Sequence, residues 1–148
     1  MLMKILIGND HGAIQTKNRL SEYLKKLGHH VDNMGVDTAD SVDYPDIAKS
    51  VCNRFLQGGY DFAILACGTG IGISIAANKI KGIRAALLHD SFSAKMAKCH
   101  NDANVVVFGG RISYQEDICD ILKSYMESDF EGGRHINRIN KITSMENM

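Results

Sequence analysis

The chain predicts a doubly wound α/β fold: a five-stranded parallel sheet covered by helices on both faces, with a helical tail. Three observations predict it. Short apolar runs alternate five times with longer amphipathic stretches. Four of the five runs are continuously apolar, as strands buried on both faces are, and do not alternate polar with apolar. A length of 148 residues with 45% apolar content suits one domain, residues 1–148, with a sizeable core.

The elements follow in order. Lys4 to Gly8 reads as the first strand, ending at Asn9-Asp10-His11-Gly12. Ile14, Leu20, Tyr23, Leu24 and Leu27 then fall at helical spacing, and Gly28 stops that helix. His30 to Met34 is a weaker second strand, and Gly35 to Asp43 is polar and loop-like. Pro45, the only proline, stands in the first turn of a helix over Asp46 to Gln57, which Gly58-Gly59 ends. Phe62 to Ala66 is the third strand. The stretch Cys67-Gly68-Thr69-Gly70-Ile71-Gly72 leads from it into a helix through Asn78. Arg84 to Leu88 is the fourth strand, Asp90 to His100 a helix, and Val105 to Phe108 the fifth strand. Ser113-Tyr-Gln-Glu116 has the pattern of a capping box opening a helix through Met126. Ile136 to Glu146 is a last helix. The whole is Rossmann-like in architecture.

Composition narrows the function classes. Seventeen Lys and Arg balance seventeen Asp and Glu, so nothing in the composition marks a basic face for nucleic acid. No stretch approaches the ~20 apolar residues of a membrane span, and the apolar start is too short for a signal peptide. Four cysteines, Cys52, Cys67, Cys99 and Cys119, stand far apart with no C-x-x-C pair. That spacing argues against a zinc site or a disulfide framework and fits reduced thiols in a cytoplasmic protein. His29-His30 has no third ligand nearby, so no metal is assigned.

In doubly wound sheets ligands bind beyond the carboxyl ends of the strands. Those ends carry Asp10-His11, Cys67-Gly68-Thr69, His89-Asp90 and Gly109-Gly110-Arg111. Cys67 is either a small buried hydrophobe or a reactive thiol, whose thiolate the neighbouring helix N-terminus favours. The alternate glycines Gly68, Gly70 and Gly72 match neither a dinucleotide fingerprint nor a P-loop. They form a tight turn or let backbone amides approach a small anion. Asp10 and His11 are a helix cap with a surface histidine, or members of the rim. His100-Asn101-Asp102 closes a helix, where a histidine interacts with the dipole and Asn101 serves as a cap. Arg134 and Arg138, four residues apart, are solvated charge or a phosphate clamp.

Several blocks taken together resemble the ribose-5-phosphate isomerase B family, the RpiB/LacAB sugar-phosphate isomerases. They are Gly8-Asn-Asp-His11, Asp43-Tyr-Pro45, Cys67 to Lys79, Gly82 to Ala86, His100 to Asn104, Gly109-Gly-Arg111, and Phe130 to His135 with Arg138. The resemblance runs from Ile5 to about Ile142. It implies a reversible isomerisation of ribose 5-phosphate and ribulose 5-phosphate, without metal or organic cofactor. It implies Cys67 as the base that moves a proton between C1 and C2, and the amides from Gly68 through Gly70 and Ile71 to Gly72 as the enediolate site. Thr69 would shuttle the hydroxyl proton, and His100, with Asp10 nearby, would open the furanose ring. His11, Arg134 and Arg138 match the phosphate set. Tyr44 matches the substrate-binding set, and Asn101 and Arg111 match residues at a subunit interface. The family forms dimers or dimers of dimers with shared sites.

Asn9 departs from the pattern, since a small residue is expected there. Some relatives place a glutamate base a few residues after the cysteine, but Ser74 to Ala77 holds none, which leaves Cys67. Two alternatives stand beside the ribose reading. One is an isomerase of allose 6-phosphate or galactose 6-phosphate, the other a non-catalytic module that binds a phosphorylated sugar.

Overall fold

The structure, a computed structural model, describes residues 1–148. Five strands form one sheet: β1 (Lys4–Asn9), β2 (His30–Asn33), β3 (Phe62–Cys67), β4 (Ala85–Leu87) and β5 (Val105–Gly109). Their order is β2-β1-β3-β5-β4, and every neighbouring pair is parallel. The helices are α1 (Ile14–Lys26), α2 (Tyr44–Leu56), α3 (Ile71–Asn78), α4 (Ser91–Cys99), α5 (Ile118–Met126) and α6 (Arg134–Met145). A 3-10 turn, His11–Ala13, joins β1 to α1.

Alternation along the strands builds two cores. Ile5, Ile7, Ile64, Ala66, Val106 and Phe108 face α1, α4 and α5, where Leu20, Leu24, Ile121 and Leu122 meet them. Leu6, Ala63, Leu65, Val105 and Val107 face α2 and α3, against Val51, Cys52, Ile73 and Ala77. Cys67 belongs to this second face. The two-sided burial explains the continuous apolar runs of β1, β3 and β5. β2, an edge strand, is only half-buried, and its sequence is correspondingly mixed.

The predicted elements are all present, with three local differences. α2 begins at Tyr44, so Pro45 is its second residue. α6 begins at Arg134, two residues before Ile136. The capping box at Ser113 to Glu116 does not form. α5 opens instead after Asp117, whose Oδ1 accepts the Cys119 N–H at 2.8 Å. Glu116 turns to another helix and accepts the Ser91 N–H at 2.9 Å and the Ser91 hydroxyl. A true capping box sits at α4, where Asp90 accepts the Ser93 N–H at 2.6 Å and Ser93 Oγ accepts the Asp90 N–H at 3.1 Å.

This assignment is checked by substitution at the start of α5. Asp117→Ala removes the cap and the ion pair with Arg19, and should lower stability by about 1 kcal/mol in a denaturant titration. Ser113→Ala should change it by less than about 0.5 kcal/mol. Equal losses at the two positions would restore the earlier cap.

Candidate active site

β1 and β3 are neighbours, yet α1 and α2 pack on opposite faces of the sheet. The winding therefore reverses between these strands, which opens a crevice beyond their carboxyl ends. Asn9 pairs with Ala66 there, and Cys67 is the last residue of β3. Cys67 is buried, at 4% exposure, and its Sγ accepts the Gly70 N–H at 3.2 Å. Gly70 has φ +78°, and a Cβ there would press on Leu87 and lie 3.1 Å from the Phe108 backbone. Only glycine fits this backbone without strain. Thr69 Oγ1 accepts the Ile71 N–H at 3.2 Å. α3 then begins, and its first-turn amides at Gly72 and Ile73 lie in the positive end of the helix dipole.

The neighbouring turns close around this loop. Gly110 N–H donates to the Cys67 carbonyl at 2.8 Å, and Arg111 N–H to the Gly68 carbonyl at 2.8 Å. The Arg111 guanidinium lies over Gly68, where a Cβ would stand 3.1 Å from Nη1. The Tyr44 ring, at the start of α2, packs on Gly72 and leaves no room for a Cβ. Asp10, 6% exposed, accepts the Gly12 N–H through Oδ1 at 2.9 Å and so caps the 3-10 turn. His11 Nδ1 accepts the Val42 N–H at 3.2 Å. A neutral His11 therefore carries its proton on Nε2 and acts there as a donor. A cleft of about 350 Å³ opens between His11, Gly12, Gly110, Arg111 and the first turn of α1.

Asn9 has a defined task in this rim. It is fully buried, and its Nδ2 donates to the Asp10 carbonyl at 2.8 Å and the Val36 carbonyl at 3.0 Å. The buried Lys17 donates to the same Val36 carbonyl at 3.0 Å and pairs with Asp37. These contacts hold the segment between β2 and α2 beside His11. Asn9 thus makes both a local hydrogen bond and a long-range tether.

Two of the other cysteines are shielded thiols. Burial pushes the Cys52 thiol up to about 12 and the Cys119 thiol up to about 11, so both stay protonated at neutral pH. At Cys67 the sulfur faces the Gly70 amide and the N-terminus of α3.

His100, Asn101, Arg134 and Arg138 are not on this rim. α4 returns from the carboxyl ends, so His100 at its close lies where β5 is about to start. Arg84, just before β4, donates to the Asp102 carbonyl at 2.8 Å and the Asn101 carbonyl at 3.0 Å. In register, Val105 pairs with Ala63 and Gly109 with Cys67, four residues apart. That spacing separates the two rims by about 13 Å along the strands. The Asn101 cap does not form either: Asp102 takes the left-handed backbone, at φ 44°.

The His100 ring stacks on His135, with centroids 4.2 Å apart and faces inclined by 18°. Glu131 Oε1 lies 3.8 Å from His100 Nε2 and 3.5 Å from His135 Nε2. Arg134 opens α6 beside this group, and Arg138 follows one turn later. A cavity of about 540 Å³ also lies on the amino side, between α6 and the start of β4, and is remote from Cys67. Glu131, His135 and Lys17 went unassigned in the sequence, although His135 stands inside the Phe130–His135 block.

Comparison with known proteins shows the family. A family model described as Ribose/Galactose Isomerase matches residues 5–142. The Bacillus subtilis (strain 168) protein YwlF is 45% identical over 145 residues, covering 97% of each chain. Its name assigns it to the sugar phosphate isomerases provisionally and without a substrate. The D-erythrulose-4-phosphate isomerase of Pectobacterium atrosepticum is 38% identical over 142 residues, 95% of this chain and 93% of that one. The crystal structure of a ribose 5-phosphate isomerase, RpiB, from Thermotoga maritima superposes with a TM-score of 0.92 at 44% identity, over 96% of this chain and 98% of the other. The chain belongs to the RpiB/LacAB family of sugar-phosphate isomerases.

Burial, with the nearby Arg134 and His100 charges, holds the His135 imidazole below its ordinary range. As pH falls, the unfolded chain takes up this proton first, so folded stability declines from about pH 6.5 downward. The Tm of the wild type should therefore fall more steeply between pH 7 and pH 5, as pH is lowered, than that of His135→Phe. Parallel curves would show that His135 does not contribute.

Proposed function

We propose that the protein interconverts ribose 5-phosphate and ribulose 5-phosphate through an enediolate, in a site assembled from two copies of the chain. The observation that carries the chemistry is the Gly70 N–H directed at Cys67 Sγ at 3.2 Å, at the mouth of α3. A donor and a positive helix end stabilise a thiolate, and a base works best when it titrates near the working pH. The Cys67 thiolate removes the proton from C2 of the open aldose and returns it to C1. Thr69 carries the hydroxyl proton between O1 and O2, so no atom is gained or lost. The loop amides stabilise the negative oxygen of the enediolate, a contribution of several kcal/mol where such donors are preorganised.

The substrate's phosphate is unchanged by the reaction, so its binding serves to position the reacting carbons. His11, as an Nε2–H donor, and the guanidiniums of Arg134 and Arg138 suit a dianion. Tyr44, Arg111 and Asn101 complete the contacts, and His100, with Asp10 of the facing rim, opens the furanose ring.

Two copies are needed because one chain separates these groups. Cys67, Asp10, His11, Tyr44 and Arg111 share the carboxyl rim, whereas His100, Asn101, Arg134 and Arg138 lie on the amino side. A dimer that sets the amino side of one chain against the carboxyl rim of its partner joins them, twice by symmetry. Exposed apolar residues support the pairing. Ile71 and Ile75 stand 54% and 57% exposed on α3, and Ile136, Ile142 and Met145 are exposed on α6. α6 is tied down at its ends, through His135 and through Glu146, which accepts the Gly82 N–H at 2.9 Å.

A four-carbon substrate is the second reading, because the Pectobacterium relative is named for erythrulose 4-phosphate. A coupled assay over ribose, erythrulose, allose and galactose phosphates decides among them. Ribose 5-phosphate should give the highest kcat/KM. Cys67→Ala should lower kcat by a factor of about 10² to 10⁴. Arg134→Ala should act mainly on KM. Absence of turnover on all four sugars overturns the enzyme reading, and near-normal Cys67→Ala turnover removes Cys67 as the base.

A further inference from the structure

We propose that His135 and Glu131 are positioning residues for His100, the stacked ring and shared carboxylate fixing the plane of the imidazole. The inference rests on the reading of His100 as the ring-opening group. His100 follows the last residue of α4, and its side chain is 35% exposed. An imidazole at such a helix end is free to swing unless something holds it. His135 covers one face of it, with the ring centroids 4.2 Å apart and the planes inclined by only 18°, a close stacked contact.

His135 is itself held. It is 4% exposed, and its N–H donates to the Gly132 carbonyl at 3.1 Å. Glu131 N–H donates to the Cys99 carbonyl at 3.0 Å, which binds this segment to the residue preceding His100. The Glu131 carboxylate then stands before the Nε2 atoms of both rings, at 3.8 and 3.5 Å. His135 Nε2 is buried and has no hydrogen-bond partner, so this carboxylate is the acceptor toward which it can turn. Burial, Arg134 and His100 all oppose protonation of His135 and hold its imidazole below the ordinary range, which favours an uncharged ring against the His100 face.

Two histidines and a glutamate within 4.8 Å of one another are also a possible metal donor set. The ring faces are nearly parallel, however, so their in-plane lone pairs run side by side and do not converge on one point. Stacking accounts for that geometry, and coordination by a tetrahedral ion does not.

The test uses the full chain with His135→Ala, His135→Phe and Glu131→Gln. It reads kcat and KM on ribose 5-phosphate, and the ring ¹⁵N signals of His100 by NMR. His135→Ala should lower kcat about tenfold with KM within about twofold. His135→Phe restores the stacked face and should recover at least about half of the wild-type kcat. Glu131→Gln should lower kcat severalfold and move the His100 ring signals. An unchanged kcat in His135→Ala, a His135→Phe enzyme no better than it, or His100 signals unmoved in all three variants overturns the proposal. If the wild type turns over no sugar phosphate, the functional reading fails, and the ring signals alone still decide whether His135 and Glu131 hold His100.

Discussion

The constraint on which the rest of the molecule depends is the polarity of the all-parallel sheet. Each strand must begin at the same edge, so each helix must carry the chain back across the full depth of the sheet. The carboxyl ends of β1, β3 and β5 therefore meet, and Asp10, Cys67 and Arg111 come together from distant parts of the sequence. The same rule sends the end of α4 to the opposite edge, taking His100 with it. A chain built this way cannot bring its own His100 to its own Cys67. The proposed two-chain site follows from the winding.

Within the carboxyl rim the backbone supplies most of the chemistry. Gly70 can turn its amide to the Cys67 sulfur because its positive φ and the close Phe108 backbone exclude any side chain. The turns after β3 and β5 are then locked together by main-chain bonds at Cys67 and Gly68. Side chains add what the backbone lacks: a donor fixed at His11 by the Val42 amide, and a cation at Arg111. Asn9 and Lys17 work one layer further out, holding the segment that carries Val42.

Much of this was legible in the sequence because the three central strands are buried on both faces. Such runs leave an unbroken apolar signature, and all five strands lay where the runs stood. Cys67 and its glycines were legible for a similar reason, since a dense glycine turn after a buried strand has few other uses. The Ser113 to Glu116 pattern misled because it is a local rule applied where a distant donor was available. Glu116 had the Ser91 amide and hydroxyl to satisfy, 25 residues away in the chain. Position along a helix likewise tells nothing of the sheet edge it reaches until the crossovers are traced. His100 was therefore visible as a candidate, but its separation from Cys67 was implied only by the family's shared sites and not by its position in the chain. His135 and Glu131 gain meaning only from a stacking contact that spans 35 residues of sequence.

The shared site is the central claim, and subunit complementation tests it most directly. Cys67→Ala and His100→Ala chains, co-expressed with different tags, allow the mixed dimer to be purified. Each parent is expected to be nearly inactive, whereas the mixed dimer retains one site with both residues intact and one with neither. It should show about half the wild-type activity. A mixed dimer as inactive as its parents would contradict the account, because Cys67 and His100 would then have to act within the same chain.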